Sequence, residues 1–423
     1  MTNSREGMNI MELTQEEQAM FDGDKGRAVQ EAIRFQVEVG KFFNAKRFVP
    51  IVNAHVMGDI EVMGDGGLEM MRQIADEGAK CVVPSTSNAR CMHFSDEPRL
   101  QPDKAEEDKE RELVMHLRRM DISTTDTCIN YQTVYQPKLG EHVAWGDTGT
   151  VIYANSVFGA RSNFEAGKSS FAAALTGRTP AYGFHLDEVR RGNIVVNVSA
   201  TLSDLADWGA LGKIVGHPNQ DYYAVPVFQG IDTTPPPDAL KHLGASLASY
   251  GSMAMFHMVG VTPEAATLEA ALGGNEPRQT MTVTDDDLQG IYDGYSFVDA
   301  RKNIVVFSGP QQSLFEMQRL AHLFEGRKVA GNMTVVVTTN HSVYSDAKRL
   351  GYVDTLEQAG VVLLQGVCFY ILQRLSDIRA ENEWANLVSN SAKIVNTITA
   401  HRFNTVLRRT ADCVDVACTG ELK

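Results

Sequence analysis

Cysteine is scarce, at six copies in 423 residues, too few for the disulfide framework on which small secreted domains rely. Positive charge is short as well. Lys and Arg number 39 against 53 Asp and Glu, a formal charge of −14, which argues against the basic footprint needed to bind a phosphate backbone. Arg5, Glu6, Glu12, Glu16, Glu17, Asp22, Asp24, Lys25 and Arg27 interrupt the amino-terminal stretch, so no apolar export signal is read there. A membrane span needs about 20 apolar residues, and the longest apolar run, 359–372, is broken by Gln365 and Gly366. What remains is globular composition, with 22% charged residues and 35 glycines. The expectation is a cytoplasmic protein of two or three domains with no nucleic-acid or membrane partner. In a reducing compartment its cysteines are core residues, metal ligands or redox groups.

Familiar catalytic fingerprints are missing too. There is no GxSxG elbow, no HExxH or CxxC zinc pattern and no GxGxxG turn after a strand. Gly167-Lys168-Ser169 resembles the end of a phosphate loop, but residue 162 is serine where that loop needs glycine.

Among the patterns present, 12–42 reads as helix, with Thr14 and Glu17 spaced as a capping box. Strands are expected at 48–52, 80–83, 150–153 and 193–198, and a solvated charged helix at 101–120. Thr233-Thr234-Pro235-Pro236-Pro237 reads as a rigid module boundary, giving modules 1–232 and 233–423. Beyond residue 300, apolar strands at 304–307, 333–338 and 361–364 alternate with helices at 312–324 and 342–350. That alternation is βαβ, hence a parallel sheet covered on both faces. The fold class is α/β.

Three cysteines sit where chemistry is often found: Cys128 after Asp126-Thr127, Cys368 past the carboxyl end of a strand, and Cys413 after Arg408-Arg409. Three such thiolates could hold an iron–sulfur cluster, although buried free cysteine needs no function. In Asn155-Ser156-Val157-Phe158-Gly159-Ala160-Arg161-Ser162-Asn163, an arginine suited to carboxylate binding lies among neutral donors. The alternative is an ordinary turn with Arg161 in a structural ion pair. His55 offers an acid, a base or an oxyanion donor, or a plain structural histidine. Lys393, in Asn390-Ser391-Ala392-Lys393, offers a carboxylate or phosphate clamp or a solvated surface charge. His257, in an apolar setting, reads as a core histidine.

These segments together resemble the aconitase X family, in its large or catalytic module. The resemblance is carried by 13–23, His55-Val56-Met57-Gly58, Asp126-Thr127-Cys128, 155–167, 175–180, 257–265, Asn390-Ser391-Ala392-Lys393 and Asp412-Cys413-Val414, in family order over essentially the whole chain. It implies an aconitase-like multi-layer architecture of parallel sheets flanked by helices. It also implies a hydro-lyase carrying an iron–sulfur cluster of unstated nuclearity on Cys128, Cys368 and Cys413. His55 and Lys393 would act in catalysis, and Asn155, Ser156, Arg161, Asn163 and Ser391 would face the substrate. Activities in the family are dehydration of cis-3-hydroxy-L-proline, the first expectation here, and of mevalonate 5-phosphate, the alternative. A swivelling small domain is not found in the chain, so a small aconitase X subunit carrying a catalytic serine is the expected partner. Two departures stand out. The family's Asp-Thr-Cys is Gly366-Val367-Cys368 here, and its Gly-x-Pro-His is met by Gly309-Pro310-Gln311. They motivate a rival reading, a cluster-free binding or regulatory protein that retains the fold.

Overall fold

The computed structural model describes residues 11–421 apart from Asp96 and Asp232. The amino-terminal pattern forms two helices rather than one. Thr14 caps Gln15–Asp22 in the reciprocal box that the sequence announces, accepting from the Glu17 amide while the Glu17 carboxylate accepts from its own. Gly23, at φ 102, then turns the chain. Arg27–Phe42 follows as a second helix that buries Ala28, Ala32, Ile33 and Val37.

Three parallel sheets organise the remainder. The first runs in the order Ile122–Ser123, Ser85–Ser87, Ala54–Val56, Ala144–Trp145. The second runs Gln279–Val283, Ile194–Val198, Pro226–Gln229, His257–Met258. The third runs Val362–Gln365, Met333–Thr339, Lys302–Phe307, Trp384–Ser389, Asn404–Leu407. Every pairing within these sheets is parallel. Parallel strands are covered on both faces, which explains the unbroken burial of Met333–Thr339 and of Ile304 to Phe307. The expected α/β layering is present.

The division into 1–232 and 233–423 does not survive as drawn. Strands on both sides of residue 232 hydrogen-bond in the second sheet, and Met1, Asp232 and Lys423 lie outside the described residues. Pro236 and Pro237 instead open the helix Pro237–Gly251, where a missing amide costs nothing. Residues 80–83 form no strand; Ser85–Ser87 takes that place in the first sheet. The charged helix Lys104–Arg119 is not wholly solvated, since Glu110, Leu113 and Leu117 are buried. Among the described residues no helix is long and apolar enough to cross a membrane.

Two reversals of strand order matter for function. In the third sheet the order reverses between Lys302–Phe307 and Trp384–Ser389; in the first, between Ala54–Val56 and Ala144–Trp145. Open parallel sheets bind ligands outside the carboxyl ends of their strands at such reversals.

Charge is also buried beside the first sheet. Arg90 sits between Glu110 at 2.7 Å and Asp126 at 2.9 Å. Asp59 caps Ile60–Asp76 by accepting from the Val62 amide at 3.1 Å. Burial, then Glu110, push the Asp59 carboxyl up to about 7. A carboxyl whose folded pKa exceeds its ordinary value holds its proton better when folded, so its contribution is lost as pH rises from about 4 towards 7. Asp59→Asn keeps the capping oxygen and removes the titration. It is expected to be more stable than the parent at pH 8, by at most about 4 kcal/mol at about 1.4 kcal/mol per unit, with the advantage gone by pH 4. Urea unfolding at both pH values checks this; an advantage equal at both would count against the assignment.

Candidate active site

The carboxyl edges of the first and third sheets face each other. The first supplies His55, Asn88 beyond Ser85–Ser87, Cys128 beyond Ile122–Ser123 and Asp147 beyond Ala144–Trp145. The third supplies Gln311 beyond Lys302–Phe307, Cys368 beyond Val362–Gln365, and Ser391 and Lys393 beyond Trp384–Ser389.

Asp147 and Lys393 join the two edges at their reversal points. Lys393 Nζ lies 3.8 Å from Asp147 Oδ1 and 3.3 Å from Thr148 Oγ1, and both side chains are buried. Local sequence holds each in place. Asp147 Oδ2 accepts from the amides of Gly149 and Thr150 at 2.8 and 3.2 Å, capping Thr148–Tyr153. Ser391 accepts from the Ile394 amide and caps Ala392–Thr397, which sets Lys393 in the first turn. Burial works against the lysine charge, but Asp147, Tyr370, Cys368 and Cys128 more than offset it and raise its pKa. Lys393 remains a cation.

Cys128 and Cys368 share this field. Burial pushes the Cys128 thiol up to about 11, with Asp147 adding to the shift and Lys393 opposing it. Burial also raises Cys368, followed by the influence of Cys128 itself. Gly366, at φ 72, carries the chain from its strand towards Cys368. A Cβ there would meet His341 Nε2 at 2.8 Å.

His55 is fully buried. Its Nδ1 bonds Thr86 Oγ1 at 2.7 Å, while Asn88 and the Thr127 backbone also act on the ring and Nε2 makes no well-aligned bond. Burial pushes the imidazole down to about 4, so it is neutral at pH 7. Nε2 thus lies at a sheet edge of the kind that favours ligands with no well-aligned bond of its own.

Several expectations change at this point. Cys413 does not join the other two cysteines. Its thiol donates to the Arg408 carbonyl at 3.5 Å, and the charges around it are Asp204, Asp412 and Arg408. Among the described residues no group of three or more His, Cys, Asp or Glu side chains could hold a metal ion. Cys128 and Cys368 lie within electrostatic reach of each other, and Cys413 is not among the groups that act on either.

The 155–163 segment is also structural here. Asn155 Nδ2 donates to the Ser162 and Ala254 carbonyls, and its Oδ1 accepts from the Ser162 amide. Ser156 accepts from the Phe256 amide. Asn163 binds the Tyr182 carbonyl, the Phe184 amide and the Tyr222 hydroxyl, and Arg161 pairs with Asp187. These side chains stitch backbone together, and the expected strand at 150–153 is the capped helix Thr148–Tyr153 running into a π-turn at Ala154–Phe158. Ser391 likewise spends its hydroxyl on the Gly309 carbonyl. His257 is a core histidine bonded to the Arg190 carbonyl at 2.7 Å.

Sequence reasoning missed Asp147, Thr148 and Asn88 as site residues. The one available signal was Asp147 standing before a helix start, hidden because Ala144–Trp145 is too short to show a strand pattern.

Comparison with known proteins matches three family descriptions along the chain: aconitase X first domain at 10–188, second domain at 192–293 and third domain at 302–419. The phosphomevalonate dehydratase large subunit of Thermococcus kodakarensis is 33% identical, over 85% of this chain and 89% of that one. The cis-3-hydroxy-L-proline dehydratase of Hypocrea jecorina is 30% identical, over 98% of this chain and 70% of that one. In solved structures, the holo-form of aconitase X from Thermococcus kodakaraensis superposes with a TM-score of 0.85 at 30% identity, covering 96% of this chain and 100% of that one.

A buried pair broken on one side leaves an uncompensated charge, typically costing about 3 kcal/mol or more. Lys393→Met should therefore destabilise the chain by about that amount, and Asp147→Asn added to it should restore part of the loss. A double-mutant cycle by urea unfolding measures the coupling; strict additivity would count against the pair.

Proposed function

The chain belongs to the aconitase X family, and on that premise we propose that it is a hydro-lyase removing water from a small hydroxylated carboxylate, cis-3-hydroxy-L-proline first. The reading is carried by the buried Asp147–Lys393 pair lying beside Cys128 and Cys368 at two facing strand reversals. One cation and one anion complement a zwitterion. Lys393 would hold the substrate carboxylate and Asp147 the ring ammonium, while neutral His55 offers Nε2 to a proton or hydroxyl of the substrate. An iron–sulfur group on Cys128 and Cys368 would supply a Lewis acid for the leaving hydroxyl.

A second reading, mevalonate 5-phosphate, is favoured by the relative named phosphomevalonate dehydratase large subunit. Against it, the other cations of this region are already engaged: Lys241 with Glu316, and Arg90 with Glu110 and Asp126. A phosphate would then be met from outside the chain. The term large subunit in that relative's name also supports a small partner subunit, to which we assign the catalytic serine. A reducing, cytoplasmic setting suits six free cysteines.

The test is an anaerobic preparation of the chain with its small partner, assayed on both substrates and analysed for iron and sulfide. Turnover of cis-3-hydroxy-L-proline is expected, falling about 100-fold in Asp147→Asn, a loss of about 2.7 kcal/mol in transition-state stabilisation. Iron is expected to be lost in Cys128→Ser and Cys368→Ser and kept in Cys413→Ser. Turnover of mevalonate 5-phosphate alone would transfer the assignment to the second reading. Iron-free protein inactive on both substrates would favour a binding protein.

A further inference from the structure

Gln311 is fully buried on the turn after Lys302–Phe307, and all of its side-chain polar atoms are engaged. Oε1 accepts from the Cys128 amide at 3.3 Å. Nε2 donates to the Asp126 carbonyl at 3.2 Å and to the Val367 carbonyl at 3.1 Å. Asp126 and Cys128 belong to the loop leaving the first sheet, and Val367 immediately precedes Cys368 in the loop leaving the third. One planar amide thus spans both thiol-bearing loops. Its own backbone N–H also points at Cys128 Sγ, 3.2 Å away.

The turn that carries this amide is itself fixed. The Gln311 carbonyl accepts from Lys241 Nζ at 3.1 Å, reaching across from the helix Pro237–Gly251. Lys241 pairs with Glu316, whose carboxylate also bonds His242 Nε2 at 2.9 Å and the Ser313 amide at 2.7 Å. The next amide, of Gln312, donates to the Thr338 carbonyl at 2.8 Å. Elements on both sides of the turn therefore hold Gln311 before it holds anything else.

We propose that Gln311 is a positioning residue that sets the separation of the Cys128 and Cys368 sulfurs. The chemistry suits glutamine: one acceptor and two donors are needed at fixed spacing, without charge. Glutamate would lose both donors and place an anion against two carbonyls. Methionine has similar length and none of the three bonds. The proposal rests on the reading of Cys128 and Cys368 as a pair of metal-binding thiolates, so its test separates the two.

Cadmium ion alone, titrated into the iron-free full chain, reports thiolate spacing through its ultraviolet charge-transfer band, with no need for turnover. The native chain should bind one ion in a manner lost in Cys128→Ser and in Cys368→Ser. Gln311→Met and Gln311→Glu should weaken that binding at least 10-fold. Thr176→Val is the stability control, since it removes hydrogen bonds to Gln36 and Ala172 far from either cysteine loop, and it should leave cadmium affinity unchanged. Native binding indifferent to Cys128 and Cys368 would overturn the thiolate pair. Native binding that needs both cysteines and persists undiminished in Gln311→Met would overturn the positioning role alone. Equal weakening by Thr176→Val would reduce Gln311 to general stability and overturn it as well.

Discussion

Two opposite charges, Asp147 and Lys393, meet under cover at the point where two sheets face each other, and the rest of the site is arranged around that meeting. Neither charge is tolerable there alone, because taking an ion out of water costs several kcal/mol that only a well-placed partner returns. Each is also anchored locally, Asp147 as the cap of Thr148–Tyr153 and Lys393 in the first turn of a helix capped by Ser391. The pair therefore does more than neutralise itself. It requires the first and third sheets to keep one relative placement, and that placement brings Cys128 and Cys368 within electrostatic reach of each other.

The third sheet was legible because its strands are long, apolar and separated by amphipathic helices. Lys302–Phe307, Met333–Thr339 and Val362–Gln365 follow the expected positions within a residue or two. The first sheet was not, since Ala54–Val56 and Ala144–Trp145 hold three and two residues, below any detectable alternation. Val151, Ile152 and Tyr153 look like strand by composition, yet Asp147 caps a helix there, and the local hydrogen bonds win over propensity. The structure gathers His55, Cys128, Cys368 and Lys393, which the resemblance singled out, at two sheet edges. Asn155, Ser156, Arg161 and Asn163 are instead engaged within the chain, by backbone groups, the Asp187 carboxylate and the Tyr222 hydroxyl. A polar run in a sequence shows that partners are needed; it does not show whether those partners are ligand or chain.

The departures noted in the sequence also read differently in three dimensions. Gln311, where the family tends to show histidine, leaves no unmet polar atom behind and ties the two cysteine loops together. Gly366, at φ 72, packs against His341 and Asp126, where an added Cβ would meet His341 Nε2 at 2.8 Å. Both substitutions are accommodated by the surrounding packing, which argues against reading them as decay of the site.

Burial sets the two thiols apart from redox and nucleophilic cysteines. A reactive cysteine needs a lowered pKa, whereas Cys128 and Cys368 are both pushed up by desolvation and by negative neighbours. Lys393 is the nearest compensating cation, and Asp147 already engages it. Ionising both sulfurs therefore requires further positive charge at the sulfurs themselves, of the kind a bound metal would supply as protons leave. Lys393 and Asp147 meanwhile keep one buried charge of each sign side by side, and any group that draws one of them away must bring an opposite charge to the other.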